Sequence, residues 1–283
     1  MVENIDLAVQ IEQFLAEHFN KELGQIVRAI ISSSQQSVVT SQNGVSELTP
    51  KMRRITGDSY EEGAEAYRLL HEFPLEMIRR TQRDYLLLFM EYVREVFSED
   101  EKRPVLVAGD GGGKDSIQLA SRDFNVLAVD YSKAMSEVSG IWKSQLIEVI
   151  SADIRNLDLA PNSIIGFLAD SVFQHLNKKK EIPSLLVKIA QWLAPGGVLL
   201  FRLKLDKRKD ENGEAVEVGE VFEVVDALGT RYFTSWTEDE IDELLKSPEF
   251  KDNFDLIRRY EVPHLDKNPD RPGFYTIIAR KKS

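Results

Sequence analysis

From Pro104 onward the chain alternates short, wholly apolar runs with helix-length segments, and that alternation constrains the fold more than any other feature. Val105-Leu-Val-Ala runs into Gly109-Asp-Gly-Gly-Gly and then the helical Lys114–Arg122. Asn125-Val-Leu-Ala-Val ends at Asp130, ahead of a helix around Ser132–Lys143, and Leu146–Ile150 gives way to the polar Ser151-Ala-Asp153. Ile164–Ala169 leads to Asp170 and a helix, and a further helix, Ile182–Leu193, runs through Ala194-Pro-Gly-Gly into Val198–Leu203. Strands that alternate with helices of this length specify βαβ units and a mostly parallel sheet. The strands are apolar throughout, as a sheet buried on both faces requires.

The flanks differ. Residues 2–31 carry Ile5, Val9, Phe14, Phe19 and Val27 at helical spacing, and Tyr60–Leu70 and Leu75–Phe97 read as helices again. Between them, Ser32–Gly44 is small, polar and aperiodic and reads as a loop or linker. Residues 1–100 therefore form a helical N-terminal segment, either a lid over the site or a homodimer surface through residues 5–27. Residues 101–283 form the α/β domain. Within it, 205–236 is a substrate-side excursion, charged over Lys204–Glu214 and hairpin-like over Val216–Val225 and Arg231–Thr234. Thr237 and Glu240 predict a capping box before the helix Glu238–Lys246. Asn253–Val262 and Phe274–Arg280 predict a terminal hairpin at the sheet edge.

Composition removes several function classes. The 283 residues contain no cysteine, which excludes a disulfide framework, a thiolate metal site and a cysteine nucleophile. The longest apolar runs, Tyr85–Met90 and the broken Trp192–Phe201, are shorter than the roughly 18 residues of a membrane span. A net charge of −11 argues against non-specific nucleic-acid or anionic-membrane partners. Glu3 stands where an export signal carries basic charge, so a cytoplasmic location is expected.

Gly109, Gly111 and Gly113 lie at a strand-to-helix junction, where glycine permits positive φ and close approach of a ligand to the backbone. The following helix N-terminus offers N–H groups to an anion. The nicotinamide fingerprint G-x-G-x-x-G requires glycine at 114, which is Lys114. The phosphate loop fails at Ala108 and at Asp115. Asp130, at the end of the next strand, lies 21 positions after Gly109. That placement suits a carboxylate gripping a ribose diol, or a helix cap ahead of Ser132.

Five segments in order and spacing resemble the class I S-adenosylmethionine-dependent methyltransferases, in their small-molecule branch. They are Val105-Leu-Val-Ala-Gly-Asp-Gly-Gly-Gly, Val126-Leu-Ala-Val-Asp-Tyr-Ser, Ile150-Ser-Ala-Asp-Ile, Asp170-Ser-Val-Phe-Gln-His-Leu and Leu193-Ala-Pro-Gly-Gly-Val-Leu-Leu. The resemblance covers 103–204 well and reaches 283 more weakly. It implies a doubly wound α/β fold of seven mostly parallel strands, Rossmann-like, with a helical N-terminal cap. It also implies S-adenosylmethionine as cofactor. Gly109, Gly111 and Gly113 would face its methionine part and Asp130 its ribose. Asp153 would meet the adenine amino group, with Ile154 and Tyr131 packing on the ring, and Asp170 would be a further cofactor-binding residue.

Two positions depart from the family. Val107 replaces an acid two residues before the glycine loop, and Ile165 replaces one near the start of the strand leading to Asp170. Asp110 is the candidate to supply charge near the cofactor's amino group. These departures also motivate an alternative, a non-catalytic methyltransferase-like binding protein with a degenerate cofactor site.

Methyl transfer needs chiefly in-line positioning of the acceptor, and a base only if the nucleophile must lose a proton. His175, just beyond a strand's carboxyl end, is either that base or a structural histidine. Tyr60, Tyr67, Arg202, Arg231, Tyr232 and Trp236 are the candidate residues around an oxygen or nitrogen acceptor of a small molecule. No metal ligand set is evident.

Overall fold

The computed structural model describes residues 38–42, 45, 47–71, 84–140, 145–178, 180–205, 207–209, 215–217, 221–226, 229–262 and 273–283. The helical reading of 2–31 and the dimer surface at 5–27 lie outside them. In chain order the elements are β1 (Val38–Gln42), α1 (Pro50–His71), α2 (Asp84–Arg94), β2 (Val105–Ala108), α3 (Lys114–Ala120), β3 (Val126–Asp130), α4 (Lys133–Gly140), β4 (Ile147–Ser151) and β5 (Ile164–Ala169). After a 3₁₀ turn at Phe173–His175 come α5 (Glu181–Trp192), β6 (Leu193–Leu205), β7 (Lys207–Lys209), β8 (Ala215–Glu217), β9 (Val221–Asp226), β10 (Gly229–Thr234), α6 (Glu238–Lys246), α7 (Pro248–Lys251), β11 (Phe254–Val262) and β12 (Gly273–Lys281).

Seven strands form the main sheet in the order β11-β12-β6-β5-β2-β3-β4. Neighbours from β6 to β4 pair in parallel, and β12 alone runs against the rest, pairing antiparallel with both β6 and β11. The chain therefore leaves β2 in one direction along the sheet and β5 in the other. A crevice opens at the carboxyl ends of these two strands, the usual ligand position in open α/β sheets.

Each face of the sheet carries its own apolar cluster. Leu106, Leu127, Phe167, Phe201 and Ile277 pack with α5 on one face, and Val105, Val107, Ile165, Leu168 and Ile278 pack with α2 on the other. Val107 and Ile165 are almost fully buried there. Both positions therefore serve the core, and an uncompensated acid at either would carry a large desolvation cost. The predicted capping box at Thr237 and Glu240 is present.

Ser32–Gly44 differs from the loop reading, because Val38–Gln42 is a strand. It pairs antiparallel with β9, from Val38 opposite Val225 to Gln42 opposite Val221, and β9 pairs in turn with β10. The partner strand fixes β1, and partner identity leaves no periodicity in a short polar segment. α1 packs on β10 through polar side chains. The Tyr232 N–H donates to Thr56 Oγ1 at 2.8 Å, and Ser59 Oγ donates to the Thr230 carbonyl at 2.6 Å. These bonds serve backbone groups along β10 and set α1 above the crevice.

Candidate active site

The loop after β2 holds Gly109, Gly111 and Gly113 at φ of 62°, 56° and 82°. A Cβ at Gly109 would lie 2.4 Å from Val172 Cγ2, whereas at Gly111 its nearest neighbour would be the Gly109 carbonyl oxygen at 4.0 Å. The loop is thus packed from below at Gly109 and open at Gly111. The Gly111 N–H donates to Asp130 Oδ2 and the Ser132 N–H to Asp130 Oδ1, both at 2.9 Å. Asp130 accordingly anchors the loop and caps the turn after β3. About half of a carboxylate's roughly four acceptor positions remain for a ligand.

Around this loop lies a cavity of 890 Å³. Its volume falls within the ~300–1,000 Å³ common for small-molecule sites. The glycine loop, Asp130, Tyr131, Asp153 and Ile154 line one end, His175, Leu176 and Tyr232 line the other, and α1 covers both from Pro50 to Glu61.

Acids dominate the floor. Asp110 is buried; Ser139 Oγ donates to its Oδ2 at 2.5 Å, while its Oδ1 has no hydrogen-bond partner. Burial, reinforced by the carboxylates of Asp115 and Asp130, pushes Asp110 up to about 7 although the Ser139 and Ser116 hydroxyls oppose it. Asp170 receives Tyr85 Oη at 2.9 Å and Arg202 Nη1 at 2.8 Å. Tyr85 Oη also lies 3.4 Å from Asp115 Oδ2. Asp115, in the first turn of α3, lines the cavity although its sequence position reads as an ordinary dipole-complementing acid.

Asp153 is held by its neighbour. Arg155 Nε and Nη2 reach its two oxygens at 2.9 and 2.5 Å, and the Arg155 N–H donates to Oδ1 at 2.9 Å. These bonds keep the carboxyl below its usual range although burial opposes them.

His175 is half-buried. Its Nδ1 faces the Tyr232 carbonyl at 3.2 Å, so in the neutral ring that nitrogen carries the proton. Nε2 then presents its lone pair to Tyr60 Oη at 3.4 Å and the Gln174 amide nitrogen at 3.3 Å. Burial, then the Lys204 ammonium, lowers the ring to about 4, with Arg231 adding to the effect.

Gly109, Asp110, Gly111, Asp130, Tyr131, Asp153, Ile154, Asp170, His175, Tyr60 and Tyr232 all line the cavity. Gly113 stands behind them as the N-cap of α3. Three acceptor candidates stand apart from the cavity wall. Arg202 is paired to Asp170 and stacked between Tyr85 and Phe274, with its guanidinium carbon 4.5 and 4.2 Å from their ring centres. Trp236 is 2% exposed and belongs to the core, with the Lys178 ammonium over its ring. Arg231 lies over the Tyr60 ring, 5.7 Å from its centre. The Tyr67 side chain lies outside the described residues. Arg53, whose sequence setting reads as solvated charge, also lines the site, as do Arg155 and Glu61, for which no local sequence signal points to it.

Residues 106–201 match the family described as Methyltransferase domain. Over these residues the chain is similar to a methyltransferase domain. Among solved structures, the 1,6-didemethyltoxoflavin-N1-methyltransferase of Burkholderia thailandensis, with 1,6-didemethyltoxoflavin and S-adenosylhomocysteine bound, aligns over 88% of this chain and 96% of its own, with 17% identity and a TM-score of 0.59. A SAM-dependent methyltransferase from Methanosarcina mazei aligns over 67% of this chain and 96% of its own, with 19% identity and a TM-score of 0.50. At these identities the likeness speaks to the methyltransferase fold. No curated protein matches the chain. Among the described residues no helix is long and apolar enough to cross a membrane.

Proposed function

We propose that this domain moves a methyl group from S-adenosylmethionine to an oxygen or nitrogen of a small-molecule acceptor. The observation that carries the proposal is one continuous cavity. Its acid-lined glycine end suits the cofactor, and its His175–Tyr60–Tyr232 end is left for a second small molecule. The fit to the cofactor rests on three features. Gly111 leaves room for a ligand against the backbone, Asp130 retains acceptor positions for a diol, and Asp110 Oδ1 is a buried, unpartnered oxygen suited to a cation. When bound, S-adenosylmethionine supplies a methyl group already activated on a sulfonium centre.

The protein's own contribution is positioning and exclusion of water. Asp130 binds the diol, Ile154 and Tyr131 pack on the nucleobase, and Asp153 offers its remaining acceptor position to the exocyclic amine. α1 closes the cavity from above, which strengthens the electrostatic interactions beneath it. His175 is neutral at physiological pH, and its Nε2 accepts an acceptor N–H or O–H only by displacing Tyr60 Oη and the Gln174 amide from that lone pair. A ring lowered to about 4 is a weak base, which suits an acceptor that is acidic or already nucleophilic. The 1,6-didemethyltoxoflavin-N1-methyltransferase of similar fold has 1,6-didemethyltoxoflavin bound beside S-adenosylhomocysteine, which supports a small-molecule acceptor here.

The test is transfer of label from methyl-labelled S-adenosylmethionine to a panel of phenols, carboxylic acids and nitrogen heterocycles. Label in any small product supports the reading. Failure of the protein to bind S-adenosylmethionine or S-adenosylhomocysteine favours the non-catalytic alternative with a degenerate cofactor site.

A further inference from the structure

Four charged side chains of alternating sign run from the covering helix to the acid at the nucleobase end. Arg53, on α1, places Nη1 2.6 Å from Glu181 Oε1, and Arg155 Nη1 lies 2.6 Å from the same oxygen. Arg155 in turn grips Asp153 at 2.5 Å. Glu181 is the first residue of α5, and its other oxygen accepts the Asn177 N–H at 2.6 Å. The carboxylate at the centre of the chain is therefore fixed to the domain and held down to about 2, so it stays ionised throughout the physiological range. The four side chains are 15–33% exposed, which leaves their attraction less screened than that of a surface pair.

Other contacts of α1 lead to the same end of the cavity. Glu61 accepts the N–H groups of Lys133 and Ala134 at 2.7 and 3.1 Å, capping α4. Gly57 lies against Tyr131, where an added Cβ would stand 3.3 Å from the ring. The helix is thus seated on the segments that carry Tyr131 and Asp153, beside the glycine loop.

We infer that Arg53, Glu181 and Arg155 couple the seating of α1 over the cavity to the Asp153 carboxylate, with Glu181 as the positioning residue. This rests on the reading that Asp153 meets the nucleobase of the cofactor. With Glu181 in place, Arg155 presents Asp153 in one orientation, and the same carboxylate holds Arg53 and the helix above it. Binding at Asp153 and seating of α1 then strengthen each other by the same factor, as linkage requires.

The test uses the full chain and S-adenosylhomocysteine, reading affinity by calorimetry and hydrogen exchange over residues 50–64 with and without ligand. Glu181→Gln leaves two guanidinium groups facing a neutral amide. It is expected to weaken binding roughly tenfold and to abolish the ligand-induced protection of 50–64. Arg53→Gln breaks the chain at the helix alone and leaves the Arg155–Asp153 pair intact. It is expected to weaken binding roughly threefold with the same loss of ligand-induced protection, and Arg53→Lys is expected to restore part of both. A merely structural role lowers the melting temperature but leaves the ligand-dependent change in exchange as it is. Wild-type affinity together with wild-type ligand-dependent protection in Arg53→Gln overturns the inference, whatever the folding of Glu181→Gln. Absence of S-adenosylhomocysteine binding in the wild type overturns the cofactor reading and the inference with it.

Discussion

Alanine placed at Gly109 and at Gly111 should separate packing from ligand approach within one loop. Both residues have left-handed φ, 62° and 56°, so each substitution carries the ~1–2 kcal/mol cost of an L side chain in that region. At Gly109 the new methyl would also lie 2.4 Å from Val172 Cγ2, and relieving that contact adds ~1–3 kcal/mol of overpacking. At Gly111 the nearest atom is 4.0 Å away, so stability loses only the backbone term, but the methyl stands where a ligand must approach the backbone. Gly109→Ala is therefore expected to be the less stable variant by ~1–3 kcal/mol, at ~2–4 °C of melting temperature per kcal/mol for a domain of this size. Gly111→Ala is expected to keep most of its stability and lose roughly tenfold or more in S-adenosylhomocysteine affinity. Thermal and urea unfolding with calorimetry on the two purified variants decides it. Equal stability loss in both, or wild-type affinity in Gly111→Ala, refutes the geometry argued for the loop.

Three further outcomes follow from the same site. Asp130→Asn turns one acceptor oxygen into a donor facing a backbone N–H, and it should cost ~1–3 kcal/mol of stability and weaken cofactor binding; unfolding and titration of one sample measure both. His175 lies below its unfolded value of 6.5, so the stability tied to its neutral form is complete above pH 6.5 and is lost as pH falls toward about 4. That loss amounts to about 3 kcal/mol and should vanish from the pH profile of His175→Asn. Glu61→Gln weakens the cap that α1 provides to α4 and should destabilise the fold by ~0.5–2 kcal/mol, read in urea unfolding; no measurable change would remove Glu61 from the seating of α1.

The sheet and the cofactor end were legible because their signals are local. Apolar runs of strand length, glycines at a strand-to-helix junction and acids at strand ends carry their meaning within a few residues. The acceptor end was less legible. Arg202 and Arg231 lie within β6 and β10 and Trp236 just beyond β10, and whether such a side chain turns to the cavity or into the core depends on partners distant in sequence. Asp170 and Tyr85 capture Arg202, and the core takes Trp236. β1 was missed for the same reason, since its partner lies beyond position 220. Asp115 and Glu181 look like ordinary first-turn acids of a helix, and only tertiary packing places one on the cavity floor and the other between two arginines.

Calorimetric titration of the purified wild-type protein with S-adenosylmethionine, S-adenosylhomocysteine and NADH tests the central claim most directly. Micromolar, one-to-one binding of the first two, with no heat from NADH, is the predicted result. Binding of NADH, or of none of the three, would contradict the assignment of the glycine loop, Asp110 and Asp130 to this cofactor.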